Sequence, residues 1–352
     1  MERPAYRIVD ANFNRAREAA RLVEDYCRFA LNSSALSERV KRLRHELCAT
    51  VGRLEPGRRL AARDTPGDVG VGAKVQGQLE RASLKDCLAA GTSRLTEALR
   101  VLAEIVRVED KTVADGIERL RYEVYTLEKD ILLVGEPAEK FRRVRLYVII
   151  TSNLPADILA LASQCATGGA DCIQLRAKDV ADDRLFATAV EFVEICREMG
   201  ALSIINDRAD IAVSAGADGV HLGGNDLPVE QARRLQLSPL VIGKSTHSLK
   251  DLEAACPASP SYVSLGPAFA TPTKPDAEVA GLDYVRQGVE RLADTAITHV
   301  AIGGITADNV EQVIGAGAER VAVCSAVAKA PDPAEACRKL KDKIARLTSQ
   351  PN

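Results

Sequence analysis

From Arg145 to the end of the chain, apolar runs of four to six residues alternate with segments whose apolar positions recur at helical spacing. The runs predict strands at 146–150, 172–175, 202–205, 219–222, 240–242, 262–265, 299–302 and 320–323. Three of them are preceded by one formula: Gly169-Ala-Asp, Gly216-Ala-Asp and Gly317-Ala-Glu. Glycine there suits the residue that ends a helix just before a buried strand. Eight strand–helix units in about 205 residues fit a compact (β/α)8 TIM barrel, an α/β fold. An open doubly wound sheet is the runner-up, because counting strands does not establish closure.

Before Arg145 the period is helical throughout. Asp10-Ala-Asn12 supplies cap-type residues for a helix running to Phe29, and Asn32-Ser33-Ser34 breaks it. Further helices are predicted at 35–54, 83–108 and 112–133, with a Pro/Gly-rich loop from Glu55 to Gly77. The helices repeat: Arg15-x-x-Glu18-Ala19-x-Arg21 matches Arg94-x-x-Glu97-Ala98-x-Arg100, and Arg42-Leu-Arg44-His-Glu46 matches Arg119-Leu-Arg121-Tyr-Glu123. An all-α bundle with internal pseudo-twofold symmetry is the expected product. The switch of period, with Gly-Glu-Pro at 135–137, places domains at 1–138 and 139–352.

The strand ends of the second half carry the candidate chemistry. They read Gln174-Leu-Arg176-Ala-Lys178, Asn206-Asp207-Arg208, Gly223-Gly-Asn-Asp226, Lys244-Ser245-Thr-His247, Thr271-Pro-Thr273-Lys274, Gly303-Gly304 and Cys324-Ser325. In parallel α/β folds functional groups gather at these C-terminal ends. Neighbouring strands lie about 5 Å apart, so Asp207 and Asp226 can reach one hard cation. Two carboxylates from protein are how Mg²⁺ is usually held when phosphates supply the other ligands. Taken singly, Asp207 reads as a helix cap, His221 as a packed core residue, Arg176 and Lys178 as a solvated face, and Gly303-Gly304 as a tight turn. Their concentration on one rim makes a site for a polyanion with Mg²⁺ the better reading.

In the helical half, two polar triplets on a helix face read as solvated ion pairs, but their recurrence favours a shared polar centre. If the faces meet, Arg15, Arg44, Arg94 and Arg121 with Glu18 and Glu97 make a cationic pocket suited to phosphates. Gly67-x-x-x-x-Gly72-Ala-Lys74 fails as a Walker A motif, having an extra residue, no following Ser or Thr and no preceding strand. A loop carrying Arg63, Asp64, Asp68 and Lys74 over a phosphate site remains open.

Composition narrows the partners. The 352 residues carry a net charge of −2, 4% aromatics and no Trp, which argues against nucleic acid or a membrane surface as the main partner. Nine scattered cysteines without a C-x-x-C pair read as reduced core thiols of a cytoplasmic protein. No stretch of 18 apolar residues suggests a membrane span. A homo-oligomer is left open.

The motifs Q-L-R-x-K, I-N-D-R, D-G-V-H-L-G-x-x-D-L-P, I-G-x-S-T-H, G-P-x-F-x-T-x-T-K and I-G-G-I, in this order, resemble the thiamine-phosphate synthase family over the whole second half. Departures are mild: Ala177 stands where the family often has Glu, Gly224-Asn225 where it often has Gln-Glu, and Lys244 continues the fifth strand. R-I-V-D-A-N-x-N-R-A-R-E, L-R-H-E-L, A-R-D-T-x-x-D-V-G and R-L-x-E-A-L-R-V-L-x-E resemble the alternative hydroxymethylpyrimidine-phosphate kinase family over residues 5 to 133. The first resemblance implies condensation of hydroxymethylpyrimidine diphosphate with thiazole phosphate, releasing pyrophosphate. It implies Mg²⁺ on Asp207 and Asp226, and Arg176, Lys178, Asn206 and Lys274 on the departing diphosphate. It also implies Gln174 and Ser245 on the pyrimidine, with Thr271, Thr273 and the backbone near Gly304 and Ser325 on the thiazole phosphate. The second implies ATP-dependent phosphorylation of the pyrimidine monophosphate. The alternative is a tautomerase-like barrel using His247, joined to a regulatory or oligomerising helical domain.

Overall fold

Eight parallel strands close on themselves in the computed structural model, each hydrogen-bonded to its sequence neighbours and β8 back to β1. The structure describes residues 1–31, 33–70, 72, 80–235, 239–271, 278–293 and 295–348; Asn32, Lys74, Thr273 and Lys274 lie outside them. The chain divides into two compact units, Met1–Leu132 and Leu133–Asn352.

In the first unit, α1 (Arg3–Asp25), α2 (Ser34–Val51), α3 (Pro56–Ala62) and α4 (Leu84–Arg107) precede α5 (Lys111–Arg142). α1 starts seven residues before Asp10, with Pro4 in its first turn, where a missing N–H costs nothing. Asp10 and Asn12 are therefore buried helix residues, not the expected caps. The expected 55–77 loop also contains a helix: α3 begins at Pro56, whose fixed φ suits that position. Ser33 and Ser83 cap α2 and α4, their hydroxyls accepting from Leu36 N (3.4 Å) and Asp86 N (3.1 Å). α1 and α4, the helices carrying the repeated triplets, pack together. Ala16, Ala19, Ala20 and Val23 are buried on α1, and a Cβ added to Gly91 of α4 would sit 2.8 Å from Leu22.

The expected border near residue 140 falls inside α5, which continues through Gly135 and Pro137. A mid-helix proline costs about 3 kcal/mol. Burying Ile131, Val134 and Phe141 at about 1.5–3 kcal/mol each outweighs it.

The second unit runs β1 (Leu146–Thr151), α6 (Pro155–Thr167), β2 (Cys172–Arg176), α7 (Asp182–Met199), β3 (Leu202–Asn206), α8 (Ala209–Ser214), β4 (Gly219–Leu222), α9 (Val229–Leu235) and β5 (Val241–Thr246). There follow α10 (Leu249–Ala255), β6 (Tyr262–Leu265), α11 (Gly281–Leu292), β7 (Thr298–Ile302), α12 (Val310–Gly315), β8 (Val321–Val323), α13 (Ser325–Ala328) and α14 (Pro333–Thr348). β5 runs four residues past its apolar run because Lys244, Ser245 and Thr246 pair with β6. Alternation sorts the strands: Val148 and Ile150 pack outward under the helices, whereas Tyr147 and Ile149 join Val241, Tyr262 and Val300 inside the barrel. Phe141, from the end of α5, plugs the interior with its ring stacked on Tyr262, centroids 3.8 Å apart. A Cβ on Gly243 would lie 2.1 Å from the Tyr262 ring, so that position is empty to admit the tyrosine.

The repeated Gly-Ala-Asp formula is a closure device. Gly169, Gly216 and Gly317 have φ of +85°, +70° and +94°, the left-handed region that glycine adopts without strain. The Asp171 carboxylate then accepts the backbone N–H groups of Arg145 and Leu146 (2.9 Å each), and Asp218 accepts from Ser203 N and Oγ (3.0 Å each). These bonds tie the N-terminal ends of adjacent strands, the end of such barrels that serves stability.

Candidate active site at the C-terminal mouth of the barrel

Opposite that end lies a cavity of about 530 Å³ lined by the strand termini. Gln174 and Arg176 reach it from β2 with Lys178 just beyond, Asn206 from the end of β3 with Asp207 next, Asp226 from the loop after β4, and Ser245 from β5 with His247 just past its end. Thr271, Gly304 and Ser325 close the far side.

Asp207 and Asp226 stand together. Asp207 has a left-handed backbone, φ +64°, and its N–H donates to the His221 carbonyl at 2.8 Å. Aspartate tolerates this conformation better than most residues, and its use here turns the carboxyl into the mouth. The loop bearing Asp226 is held at Gly223: its N–H donates to Asp226 Oδ2 (2.6 Å), and its carbonyl accepts from Lys244 Nζ (2.5 Å). Lys244, the departure noted in the sequence, thus anchors the loop. Burial, a hydrogen bond shared with Asp226 and that group's negative charge raise the Asp207 carboxyl above its usual range; Lys178 and Arg176 oppose the shift. Lys178 Nζ lies 3.8 Å from Asp207 Oδ2. Two crowded carboxylates beside open space fit a divalent cation that accepts further oxygens from a ligand. Among the described residues no group of three or more His, Cys, Asp or Glu side chains forms a protein-only metal cage.

Below the carboxylates a buried polar chain crosses the barrel. Gln174 Nε2 donates to the Tyr147 hydroxyl (2.6 Å), and Tyr147 and Tyr262 share a hydrogen bond of 3.0 Å. The Tyr262 hydroxyl meets His221 Nδ1 at 3.0 Å, and His221 Nε2 meets Ser245 Oγ at 2.9 Å. Burial pushes both phenols well above their ordinary pKa, so they stay protonated. Gln174 and Ser245, separated by two strands, are therefore held by one rigid network. Sequence reading missed Tyr147 and Tyr262 and set His221 aside as core. The signal available was two polar-tipped aromatics at inward positions of predicted strands.

His247 Nδ1 donates to the Gly266 carbonyl at 2.7 Å. Gly303 and Gly304, with φ of +101° and +64°, back onto the loop after β6, where a Cβ on Gly304 would lie 2.5 Å from the Ala270 carbonyl oxygen. Arg208, the last residue of I-N-D-R, turns away to Asp182 and Asp210.

The helical candidates are not gathered into one pocket. Arg15, Glu18, Arg94 and Glu97 are exposed, Arg15 reaching Asn12 Oδ1 (3.5 Å) and Arg94 the Ala90 carbonyl (3.0 Å) of their own helices. Arg44 bonds Glu24 (2.9 Å), and Arg121 bonds Glu118 (2.6 Å) and the Tyr125 hydroxyl (2.8 Å). The expected shared centre fails because small apolar residues, not the triplets, occupy the buried face of α1. Asp64 and Asp68 accept the N–H groups of Gly67 (3.0 Å) and Gly70 (2.9 Å). Arg63 pairs with Asp10, 53 positions away.

No helix among the described residues is long and apolar enough to cross a membrane, and all nine cysteines are free thiols. A family model described as thiamine monophosphate synthase matches residues 146–327, and one described as the ThiD2 family matches residues 7–130. The thiamine-phosphate synthase of Nostoc punctiforme is 37% identical over 347 residues, 99% of this chain and 96% of the relative. That of Rhodopirellula baltica is 39% identical over 333 residues, 93% of this chain and 89% of the relative. Among solved structures, thiamine phosphate pyrophosphorylase from Pyrococcus furiosus superimposes with a TM-score of 0.54 at 33% identity, covering 60% of this chain and 98% of that one. With a closed barrel, a rim of cations about paired aspartates and relatives aligned over nearly its full length, this chain belongs to the thiamine-phosphate synthase family.

Proposed function

We propose that the barrel joins hydroxymethylpyrimidine diphosphate to thiazole phosphate, giving thiamine phosphate and pyrophosphate. The observation carrying this reading is the adjacency of Asp207 and Asp226 beside Arg176 and Lys178 on one rim. The attacking thiazole nitrogen bears no proton, so the condensation requires no general base. The barrier is C–O cleavage, with positive charge growing on the pyrimidine methylene and negative charge on the departing diphosphate. Arg176, Lys178, Asn206 and Lys274 stabilise the leaving group, and the barrel wall holds the reactants in line. Mg²⁺ held by Asp207 and Asp226 would neutralise diphosphate charge when bound. Gln174 and Ser245, fixed through the tyrosine–histidine chain, orient the pyrimidine. Thr271 and Thr273, with the glycine pair and the start of α13, receive the thiazole phosphate, as phosphate sites after strands seven and eight commonly do.

For the helical unit, the match to the ThiD2 family favours a second activity: transfer of the ATP γ-phosphoryl group to the pyrimidine monophosphate, giving ADP and the barrel's substrate. The test is the intact chain with Mg²⁺, thiazole phosphate and either the pyrimidine diphosphate or the monophosphate plus ATP. Thiamine phosphate from the first mixture, abolished by chelator, supports the barrel reading; a chelator-resistant rate would overturn the metal assignment. Absence of product from that mixture overturns the condensation itself. ADP released only when the monophosphate is present supports the kinase reading.

A further inference from the structure

The first unit holds a second concentration of positive charge that the barrel chemistry does not use. Asp10, Phe13 and Arg17 follow one another at spacings of three and four, on one face of α1. α3 packs against that helix and brings Arg59, with Arg63 just beyond its end. Arg63 grips Asp10 with two bonds, Nε to Oδ2 at 2.8 Å and Nη2 to Oδ1 at 3.0 Å. The guanidinium carbons of Arg59 and Arg17 lie 4.9 and 5.4 Å from the centroid of the same Phe13 ring. Arg7 reaches the Asp64 carbonyl at 3.3 Å.

Charge and solvation are unbalanced here. Asp10 already makes both its carboxylate bonds to Arg63, and the Asp64 carboxylate turns to the Gly67 N–H. Arg59 is buried, and its Nε has no hydrogen-bond partner. Burial and the neighbouring Arg17 disfavour its charged form, with Asp10 in partial compensation. A desolvated guanidinium without a bonded anion is costly, and an aromatic face offsets only part of that cost. One arginine on Phe13 would serve packing; two, with Arg17 and Arg63 exposed at its edge, present forked donors that a multidentate oxyanion would engage.

We propose that the α1–α3 face around Phe13 is a phosphate-binding site of the first unit, taking the phosphate group of a small phosphorylated molecule. Its place differs from the triplet pocket the sequence suggested. The proposal rests on the phosphoryl-transfer reading only for its choice of ligands, ATP or the pyrimidine monophosphate.

The experiment is calorimetric titration of the intact chain with Mg–ATP and, separately, with the pyrimidine monophosphate, the barrel mouth being saturated with thiamine phosphate. Arg17→Gln and Arg63→Gln are the principal variants, because both side chains are exposed at the surface; Arg59→Lys keeps the charge and removes the fork. The expected result is a tenfold or greater loss of affinity in both Gln variants and an unchanged rate of thiamine phosphate formation from preformed diphosphate, with melting unchanged in Arg17→Gln and lowered in Arg63→Gln, which leaves buried Asp10 without its partner. The ligand whose affinity falls identifies the phosphate source. Wild-type affinity for both ligands in both variants, or no binding by the wild-type chain, overturns the site. ADP formation that persists with unaltered affinities leaves the kinase reading standing without this site. Lost affinity in a chain that forms no ADP leaves the site standing without the kinase reading.

Discussion

Asp207→Asn is expected to separate catalysis from stability. The variant keeps size and hydrogen bonding, and asparagine tolerates the φ of +64° as aspartate does. In the mechanism we propose, it removes one of two charges directed at the metal and leaving group. Loss of one such electrostatic contact costs about 10²–10³ in turnover, or about 2.7–4 kcal/mol. Stability responds differently. The lost contact to Lys178, 3.8 Å away and half exposed, is worth under about 1 kcal/mol. Relief of the repulsion with Asp226 acts in the opposite direction. The melting temperature of the metal-free protein is therefore expected to stay within about 4 °C of wild type or to rise, given about 2–4 °C per kcal/mol for a unit of this size. Asp207→Ala adds about 1–2 kcal/mol of left-handed backbone strain and melts lower than the Asn variant. Thiamine phosphate formation is followed at limiting Mg²⁺, with melting scans in chelator. Wild-type turnover by Asp207→Asn would refute the two-carboxylate clamp, and a large drop in melting with normal turnover would make Asp207 a structural residue.

Three further outcomes test the frame around the site. Gly243→Ala pushes a methyl to within 2.1 Å of the Tyr262 ring, so overpacking of about 1–3 kcal/mol should lower melting by several degrees; an unchanged melt would deny the close packing. Tyr262→Phe breaks the bonds to Tyr147 and His221 at 3.0 Å each, costing about 1–3 kcal/mol of stability and about tenfold in kcat/KM; steady-state rates equal to wild type would show that the chain does not orient the pyrimidine. His299 is buried, its pKa lowered to about 4 by burial first and Arg320 second, with Nε2 accepting from Glu319 N at 3.3 Å. Its neutral form favours the fold, so stability is full above about pH 6.5 and falls by roughly 3 kcal/mol as pH drops towards 4; His299→Gln melts compared at pH 7 and 4.5 should lose most of that slope.

The sequence by itself determined the eight strands, the α/β class and the polar character of the strand ends, whereas closure into a barrel was decided by the tertiary structure. A strand buried on both faces must be written as an apolar run, and its rim is polar where the run stops. Lys244, Ser245 and Thr246 escaped that logic because pairing with β6, not hydropathy, carries β5 onward. Only the tertiary structure decided that Asp207 and Asp226, nineteen positions apart, crowd each other, since that follows from barrel closure and the left-handed turn at Asp207. It also decided that Pro137 sits within a helix and that Asp10 answers Arg63 across 53 residues. Those contacts depend on which faces are buried against each other, and a one-dimensional period fixes a face without naming its partner.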